Sequence, residues 1–131
     1  MIDQTKIPEL LLKACPSFKK AWEAHLEEYG EELIYVAMGD FARHLLALYK
    51  EKQIDEFQDI GKLIERLHVE GTPSTKEIAT IGILEAIQNV WGNEETDPEL
   101  LRPYLGTESN WYWQSLNDFW EGKVPYVGYK G

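Results

Sequence analysis

The stretch DEFQDIGKLIERLHVE, residues 55–70, decides the fold class. Its apolar residues recur at the three- and four-residue spacing of one buried helical face: Phe57, Ile60, Ile64 and Leu67. Its charged residues take the same spacing on the opposite, solvent-exposed face: Asp55, Asp59, Lys62 and Arg66. No segment of comparable length shows the period-two alternation of a half-buried strand. The pattern therefore predicts an amphipathic helix and favours an all-α protein.

The same periodicity predicts further helices on both sides of this stretch, separated by prolines and glycines. The predicted spans are 8–14, 16–29, 33–52, 55–70, 74–91, 98–105 and 107–121. The fifth, whose apolar part covers about 75–91, is apolar nearly all round, which is typical of a central helix. We expect six or seven mostly antiparallel helices packed as helical hairpins around it, in one domain over 1–122. Residues 123–131 are rich in proline and glycine and predict an extended tail.

Glycines inside three of these helices give a prediction about how the helices pack. Gly39, Gly61 and Gly82 each cost on the order of 1 kcal/mol relative to alanine in a helix interior. Close helix–helix crossings, where no side chain fits, would explain all three, and a local kink is the alternative.

The charge of the chain restricts its partners. The 131 residues carry a formal net charge of −10. Residues 71–122 alone hold 2 basic and 9 acidic side chains. Such a field repels nucleic acids and anionic membranes and attracts basic partners. Solubility alone is the plainer explanation of the same charge.

Cysteine use and hydropathy bear on location. Cys15 is the only cysteine, so no internal disulfide can form. No stretch approaches the roughly 20 apolar residues of a membrane span, and residues 1–16 lack the basic start of a signal peptide. We expect a cytoplasmic protein with no membrane association.

The last third of the chain offers a candidate partner surface. Four of the five tryptophans lie after residue 90, among carboxylates. Aromatic rings supply anchoring contacts and acidic groups supply steering, so we expect partner contacts in this region. The predicted contact residues are Glu94, Glu95, Asp97, Glu99, Trp111, Tyr112 and Tyr126. The alternative is that these rings fill the core and that the tail folds back onto it.

Catalytic and cofactor motifs are weak. Glu65-x-x-His68 has the spacing that di-metal helical bundles use twice, but it occurs once here. Asp40 and Glu85 could complete a metal or acid–base site, although the predicted buried faces are aliphatic. Cys15 has no evident histidine partner. The chain contains no phosphate-binding glycine loop, HExxH or CxxC motif, and we expect no cofactor.

Three runs carry a resemblance to a known family: IYVAMGDFARHLLALYKE, IGKLIERLHVEG and EIATIGILEAIQNVW. Over residues 30–92 the chain resembles a widespread family of small helical bacterial proteins of unknown function. The positions that carry the resemblance are Tyr35, Met38, Gly39, Asp40, Glu65, Gly82 and Glu85. The resemblance implies a helical fold and no catalytic residue. In general character the chain is also similar to the immunity proteins of toxin systems.

These observations lead to three functional hypotheses. The first is a non-catalytic protein-binding module, most concretely an immunity-type antidote that binds a basic toxin domain through its acidic, aromatic second half. The second is a metal-binding or acid–base enzyme of helical-bundle type that uses Glu65, His68, Asp40 and Glu85. The third is a structural or oligomerisation domain whose aromatic tail packs on a second copy.

Overall fold

A computed structural model describes residues 1–131 and shows an all-α fold with seven α-helices. The helices are α1 (Ile7–Ala14), α2 (Lys19–Tyr29), α3 (Ile34–Lys50), α4 (Phe57–Glu70), α5 (Pro73–Glu77), α6 (Glu85–Asn93) and α7 (Thr107–Trp120). Short 3-10 turns cover Gln4–Lys6, Pro16–Phe18, Pro98–Leu100 and Arg102–Tyr104. The only β-type pairing is an isolated bridge between Ile2 and Gly71. The predicted fold class and helix number are confirmed.

The predicted central helix is a continuous rod from Pro73 to Asn93. A π-helical segment, Ile78–Leu84, joins α5 to α6 without a break. Helix α3 packs along α6 and the π-helical segment, and α4 packs against α1, α5 and α7. Trp91 is fully buried and donates its indole hydrogen to the carbonyl of Ala42, 3.2 Å away. A single apolar core thus surrounds the rod and α4, and α2 packs on its outside against α3.

The spacing of Ser74 and Glu77 is typical of a capping box, but the rod begins before Ser74. Thr72 is the N-cap, and its hydroxyl accepts a hydrogen bond from the backbone N–H of Thr75. Pro73 occupies the first turn, where its missing N–H costs nothing. The extended conformation of Thr72 is the one that an N-cap requires, so the N-cap lies two residues before Ser74.

Two of the three helix-internal glycines lie at close approaches. A Cβ on Gly61 would lie 2.0 Å from the carbonyl oxygen of Tyr104, and one on Gly82 would lie 3.3 Å from Met38. A Cβ on Gly39 would meet only the flexible side chain of Arg43 at 3.5 Å. A close helix–helix crossing is therefore present at Gly82, where α3 passes the rod, and absent at Gly39. At Gly61 the approach is also close, but the neighbour is a 3-10 turn and not another α-helix.

The predicted sixth helix, 98–105, is wrong. Two 3-10 turns, Pro98–Leu100 and Arg102–Tyr104, occupy this segment. Asp97 caps the first turn by accepting from the N–H of Glu99, as the sequence indicates. Pro103 then removes a donor that an α-helix would need, so the chain closes in tighter three-residue turns.

Helix α7 and the tail also depart from expectation. The N-cap is Gly106, which offers no side-chain cap. Trp120 has the helical spacing of a buried stripe with Trp113 and Leu116, but it is 58% exposed. Residues 123–131 do not extend away from the domain. Bends and turns fold them back, so that the N–H of Gly128 donates to Ser115 Oγ on α7 at 2.8 Å.

Candidate functional site

A groove with a cavity volume of about 640 Å³ lies between α1, α2 and the start of α3. We call it the α1–α3 groove. Its floor is apolar and contains Leu12, Trp22, Leu26, Ile34 and Ile78. Ile78 is buried and the other four are half-buried. Its size lies within the range of protein sites that bind small ligands or single anchoring side chains.

The rim of the α1–α3 groove is acidic. Glu9 on α1 and Glu31 and Glu32 in the α2–α3 loop are exposed and line the groove. No lysine or arginine is among the lining residues. None of the three glutamates takes part in an ion pair. The groove therefore joins an apolar floor to three carboxylates without an intramolecular counter-charge.

Local chain geometry places two of these carboxylates. Gly30 ends α2 with φ +77°, a conformation that side-chain-bearing residues rarely adopt. The turn at Gly30 leads directly into Glu31 and Glu32 before α3 begins at Ile34. Trp22 and Leu26 lie four residues apart on α2 and so share one face of that helix. The glutamate pair and this apolar face of α2 border the same cavity.

A second concavity, with a volume of about 430 Å³, lies between α2 and α3 and contains two histidines. His25 is 3% exposed, and its Nδ1 lies 3.4 Å from Asp40 without forming a hydrogen bond. Its ring stacks on Trp22 and lies against Tyr29. Asp40 also pairs with Arg43 one turn along α3. Nδ1 of His25 is therefore buried without a hydrogen-bond partner.

A polar cluster of Cys15, Ser17, His44 and Glu56 joins the start of α2 to α3 and α4. His44 Nε2 lies 2.8 Å from Ser17 Oγ, and Glu56 accepts from both the N–H and the hydroxyl of Ser17. Burial lowers the pKa of His44, although Glu56 opposes this shift. Burial raises the pKa of Cys15 to about 12. The thiol is therefore a poor nucleophile at neutral pH.

The hydrogen bonds of this cluster indicate a capping role and not an activated serine. Ser17 has one hydroxyl hydrogen, and the ionised carboxylate of Glu56 can only accept. The hydroxyl therefore donates to Glu56, and His44 donates its Nε2 hydrogen to Ser17. An activated serine would need the reverse arrangement, in which it donates to histidine. Sequence reasoning missed this cluster because Ser17 lies 27 residues from His44 and Cys15 lies 41 residues from Glu56.

The Glu65-x-x-His68 motif serves the packing of α7. Glu65 accepts from the backbone N–H groups of Glu108 and Ser109 and from the Ser109 hydroxyl, at 2.9 to 3.0 Å. His68 is buried, with Nδ1 2.9 Å from Ser109 Oγ and Nε2 2.9 Å from Thr80 Oγ1. Burial lowers the pKa of His68 to about 4. The motif thus holds the first turn of α7 against α4 and the rod.

The four residues of the alternative metal site do not converge. Asp40 engages His25 and Arg43, whereas Glu65 engages α7. Burial raises the pKa of Glu85, which has no hydrogen-bond partner. No group of three or more histidine, cysteine or acidic side chains in residues 1–131 is close enough to hold a metal ion.

The acidic residues of the predicted partner surface have different structural roles. Glu94 and Glu95 are exposed in the loop after α6, where Glu95 adopts φ +57°. Asp97 is a helix cap. Glu99 accepts from the Trp113 indole, Asn117 and Arg102. Burial works to raise the pKa of Glu99, but these hydrogen bonds outweigh it and hold that pKa below its usual value.

The aromatic part of the predicted surface lies on another flank of α7. Trp111 is 39% exposed and packs edge-on against Tyr112, and Lys130 of the tail lies 5.3 Å from the centre of its ring. Tyr112 is half-buried and stacks on His68. Tyr126 is 58% exposed and contacts Tyr129 within the tail.

Helix geometry separates the two parts. Glu99 meets α7 at Trp113 and Asn117, whereas the tail meets it at Trp111 and Ser115. At 100° per residue, Trp111 and Asn117 point about 120° apart around the helix axis. The structure therefore does not bring Glu99 and Trp111 together in one continuous patch.

A comparison with known families places the chain among its relatives. A family model described as a domain of unknown function (DUF7674) matches residues 8–121. The chain belongs to this family. The expected membership of a family of proteins of unknown function is thereby confirmed, and the match extends beyond residues 30–92 on both sides. No curated protein and no solved structure matches the chain.

None of the helices combines the length and the apolar character that a bilayer crossing demands.

Proposed function

We propose that the protein is a non-catalytic, cytoplasmic protein-binding module whose partner is basic. An immunity-type antidote that masks a basic toxin domain is the most concrete form of this proposal. The observation that carries it is the α1–α3 groove, in which an apolar floor adjoins three glutamates that no lysine or arginine neutralises. An interface of this composition anchors a partner through apolar burial and selects it through charge.

The charge of the whole molecule supports the same conclusion. Of the 23 aspartates and glutamates, only Asp40, Glu70, Glu99 and Glu121 form ion pairs with lysine or arginine. The remaining carboxylates have no lysine or arginine partner, so their negative charge is not neutralised within the chain. This charge attracts a basic partner over distances of about a Debye length, roughly 10 Å at 0.1 M salt. Association is consequently expected to be fast at low salt and to slow as salt rises.

Two surfaces are candidates for the contact with the partner: the α1–α3 groove and the loop after α6. Paired variants distinguish them. Glu31→Gln with Glu32→Gln removes two exposed charges from the α1–α3 groove. Glu94→Gln with Glu95→Gln removes two exposed charges from the loop after α6. Each pair is adjacent in sequence and changes the net charge by the same amount, so each is the control for the other.

The experiment measures association of the purified protein with the products of genes next to its own, by stopped-flow fluorescence at several salt concentrations. We expect a complex whose association rate falls steeply with salt, and a larger loss of affinity for the Glu31/Glu32 variant than for the Glu94/Glu95 variant. Binding that is insensitive to salt, or the absence of binding to any of these products, would contradict the proposal.

Self-association is the second candidate function, and the exposed aromatic residues of the C-terminal region favour it. Trp120 and Tyr126 are each 58% exposed, which is high for rings of this size. Sedimentation of the full chain and of a chain ending at residue 122 tests this candidate. A dimer that becomes a monomer on truncation would support it, and a full-length monomer at high concentration would remove it.

A further inference from the structure

We infer that the α1–α3 groove binds a segment of the partner in which arginine stands next to a large apolar residue. This inference rests on the proposed function for the nature of the ligand, which is a protein, and it adds the chemistry that the groove recognises. The groove belongs to α1, α2 and α3, and none of its lining residues comes from the acidic, aromatic second half after residue 90.

The floor of the groove accounts for the apolar residue. Leu12, Leu26 and Ile34 are half-buried, so each leaves part of its side chain for an incoming group. A volume of about 640 Å³ accommodates a phenylalanine or leucine side chain together with the stem of a neighbouring residue. Burial of that side chain would supply the non-directional part of the affinity.

The rim accounts for the cation. Glu31 and Glu32 follow the sharp turn at Gly30, and Glu9 faces the same cavity from α1. A guanidinium group matches carboxylates with two parallel hydrogen bonds, which an ammonium group cannot form. Trp22 lines the groove, and its indole ring stacks on His25. The indole surface that His25 leaves uncovered favours contact with a planar cation.

The same groups disfavour other occupants. A phosphate, a nucleic acid or an acidic peptide would bring negative charge against three carboxylates. A neutral apolar ligand would leave the rim unused and would gain nothing from it. A second copy of this chain carries a net charge of −10 and would bring like charge to the rim. We therefore commit to an arginine-bearing segment of a different protein.

The probe is a capped hexapeptide, acetyl-Gly-Leu-Arg-Phe-Arg-Gly-amide, added to the full-length protein labelled with nitrogen-15. The matched control peptide replaces both arginines by citrulline, which keeps the shape and removes the charge. Binding is followed by shifts of the backbone signals of Thr5 and Leu26 and of the Trp22 indole signal. We expect these three signals to move with the arginine peptide and to stay in place with the citrulline peptide.

Charge variants of the protein locate the effect. Glu31→Gln with Glu32→Gln should weaken binding of the arginine peptide about five-fold, since two exposed ion pairs are lost. Glu94→Gln with Glu95→Gln should weaken it less than about two-fold, because only the long-range field changes. Both pairs are exposed and have no side-chain hydrogen bonds, so both variants should fold like the parent chain.

The possible outcomes separate this inference from the proposed function. If a neighbouring gene product binds but the peptide moves no signal of the groove, the groove inference is wrong and the binding function stands. If the peptide occupies the groove but no gene product binds, the groove inference stands and the proposed function is wrong. Equal binding of both peptides, or self-association that the Glu31/Glu32 variant abolishes, would also overturn the inference.

Discussion

At the scale of single residues, His68 and its neighbours form a hydrogen-bond chain whose direction is determined. Ser109 donates its hydroxyl hydrogen to Glu65, so its oxygen accepts from Nδ1 of His68. Burial disfavours the protonated ring, and the neutral ring with its hydrogen on Nδ1 accepts at Nε2 from the hydroxyl of Thr80. The hydrogen bonds thus fix one tautomer of the neutral ring between α4, the rod and α7.

His68 makes the protein sensitive to mild acid. Its pKa is about 4 in the folded chain and 6.5 in the reference state, so the unfolded chain takes up the proton first. Stability is unaffected above pH 6.5, falls as the pH drops from 6.5 to 4, and loses about 3 kcal/mol in all. Urea unfolding between pH 7 and pH 4 measures this loss.

The ring signals of the three histidines provide the control for that experiment. The pKa of His44 is also lowered by burial, so His44 contributes to the same acid loss. Nuclear magnetic resonance follows each ring separately and assigns the share of His68. Titration of the His68 ring near pH 6.5 would show that the buried network is not formed in solution.

Gly61 and Gly92 give a matched pair of alanine substitutions. At Gly61 the new Cβ would lie 2.0 Å from the carbonyl oxygen of Tyr104, so the chain must move apart there. At Gly92 nothing lies within 4 Å, and alanine is the better helix former. We expect Gly61→Ala to destabilise by about 1 to 3 kcal/mol and Gly92→Ala to stabilise by up to about 1 kcal/mol.

Thermal and urea unfolding of the two glycine variants check these signs. A Gly61→Ala variant as stable as the parent would mean that the turn at Arg102–Tyr104 does not pack on α4 as described.

At the scale of elements, two carboxylates next to or within α4 satisfy the ends of other helices. Glu56, immediately before α4, accepts from the backbone N–H of Ser17 ahead of α2. Glu65, within α4, accepts from two backbone N–H groups in the first turn of α7. A negative charge at a helix N-terminus also interacts favourably with the helix dipole. Helix α4 therefore holds α2 and α7 in place by charge as well as by apolar contact.

Glu65→Gln tests this arrangement. An amide keeps the size of the side chain but exchanges charge-assisted hydrogen bonds for neutral ones, so we expect a loss of about 1 to 2 kcal/mol. Glu70→Gln is the control, because Glu70 lies on the same helix and its side chain pairs only with exposed Arg66. That control should change stability by less than about 0.5 kcal/mol. Equal effects of the two substitutions in urea unfolding would argue against the capping role of Glu65.

At the scale of the whole molecule, the tail is an accessory to the helical domain. The tail makes two hydrogen bonds to α7, from the N–H of Lys123 to the carbonyl of Asp118 and from the N–H of Gly128 to Ser115 Oγ. Lys130 also approaches the Trp111 ring, and Val127 packs at the edge of the core. Deletion of residues 123–131 should leave the helical circular dichroism unchanged and lower the free energy of unfolding by about 1 to 2 kcal/mol. Loss of cooperative unfolding after this deletion would show that the tail is part of the core.

The sequence by itself determined the helices, the central rod and the acidity, because each depends on residues that are close in the chain. The spacing in α4 and the turn at Gly30 are local signals of this kind. Prediction from the sequence was less successful where one local pattern is compatible with two structures. Pro103 converts a predicted helix into 3-10 turns, and Trp120 lies beyond the last residues that α7 buries.

Only the tertiary structure decided which side chains meet. Ser17 and His44 are 27 residues apart, and Glu65 and Ser109 are 44 apart. The groove likewise combines α1, α2 and α3, and the acidic and aromatic flanks of α7 separate because they face different neighbours. Helical periodicity specifies which face of a helix is buried. The segment that covers this face is specified only by packing between parts of the chain that are distant in sequence, and the candidate site depends on that packing.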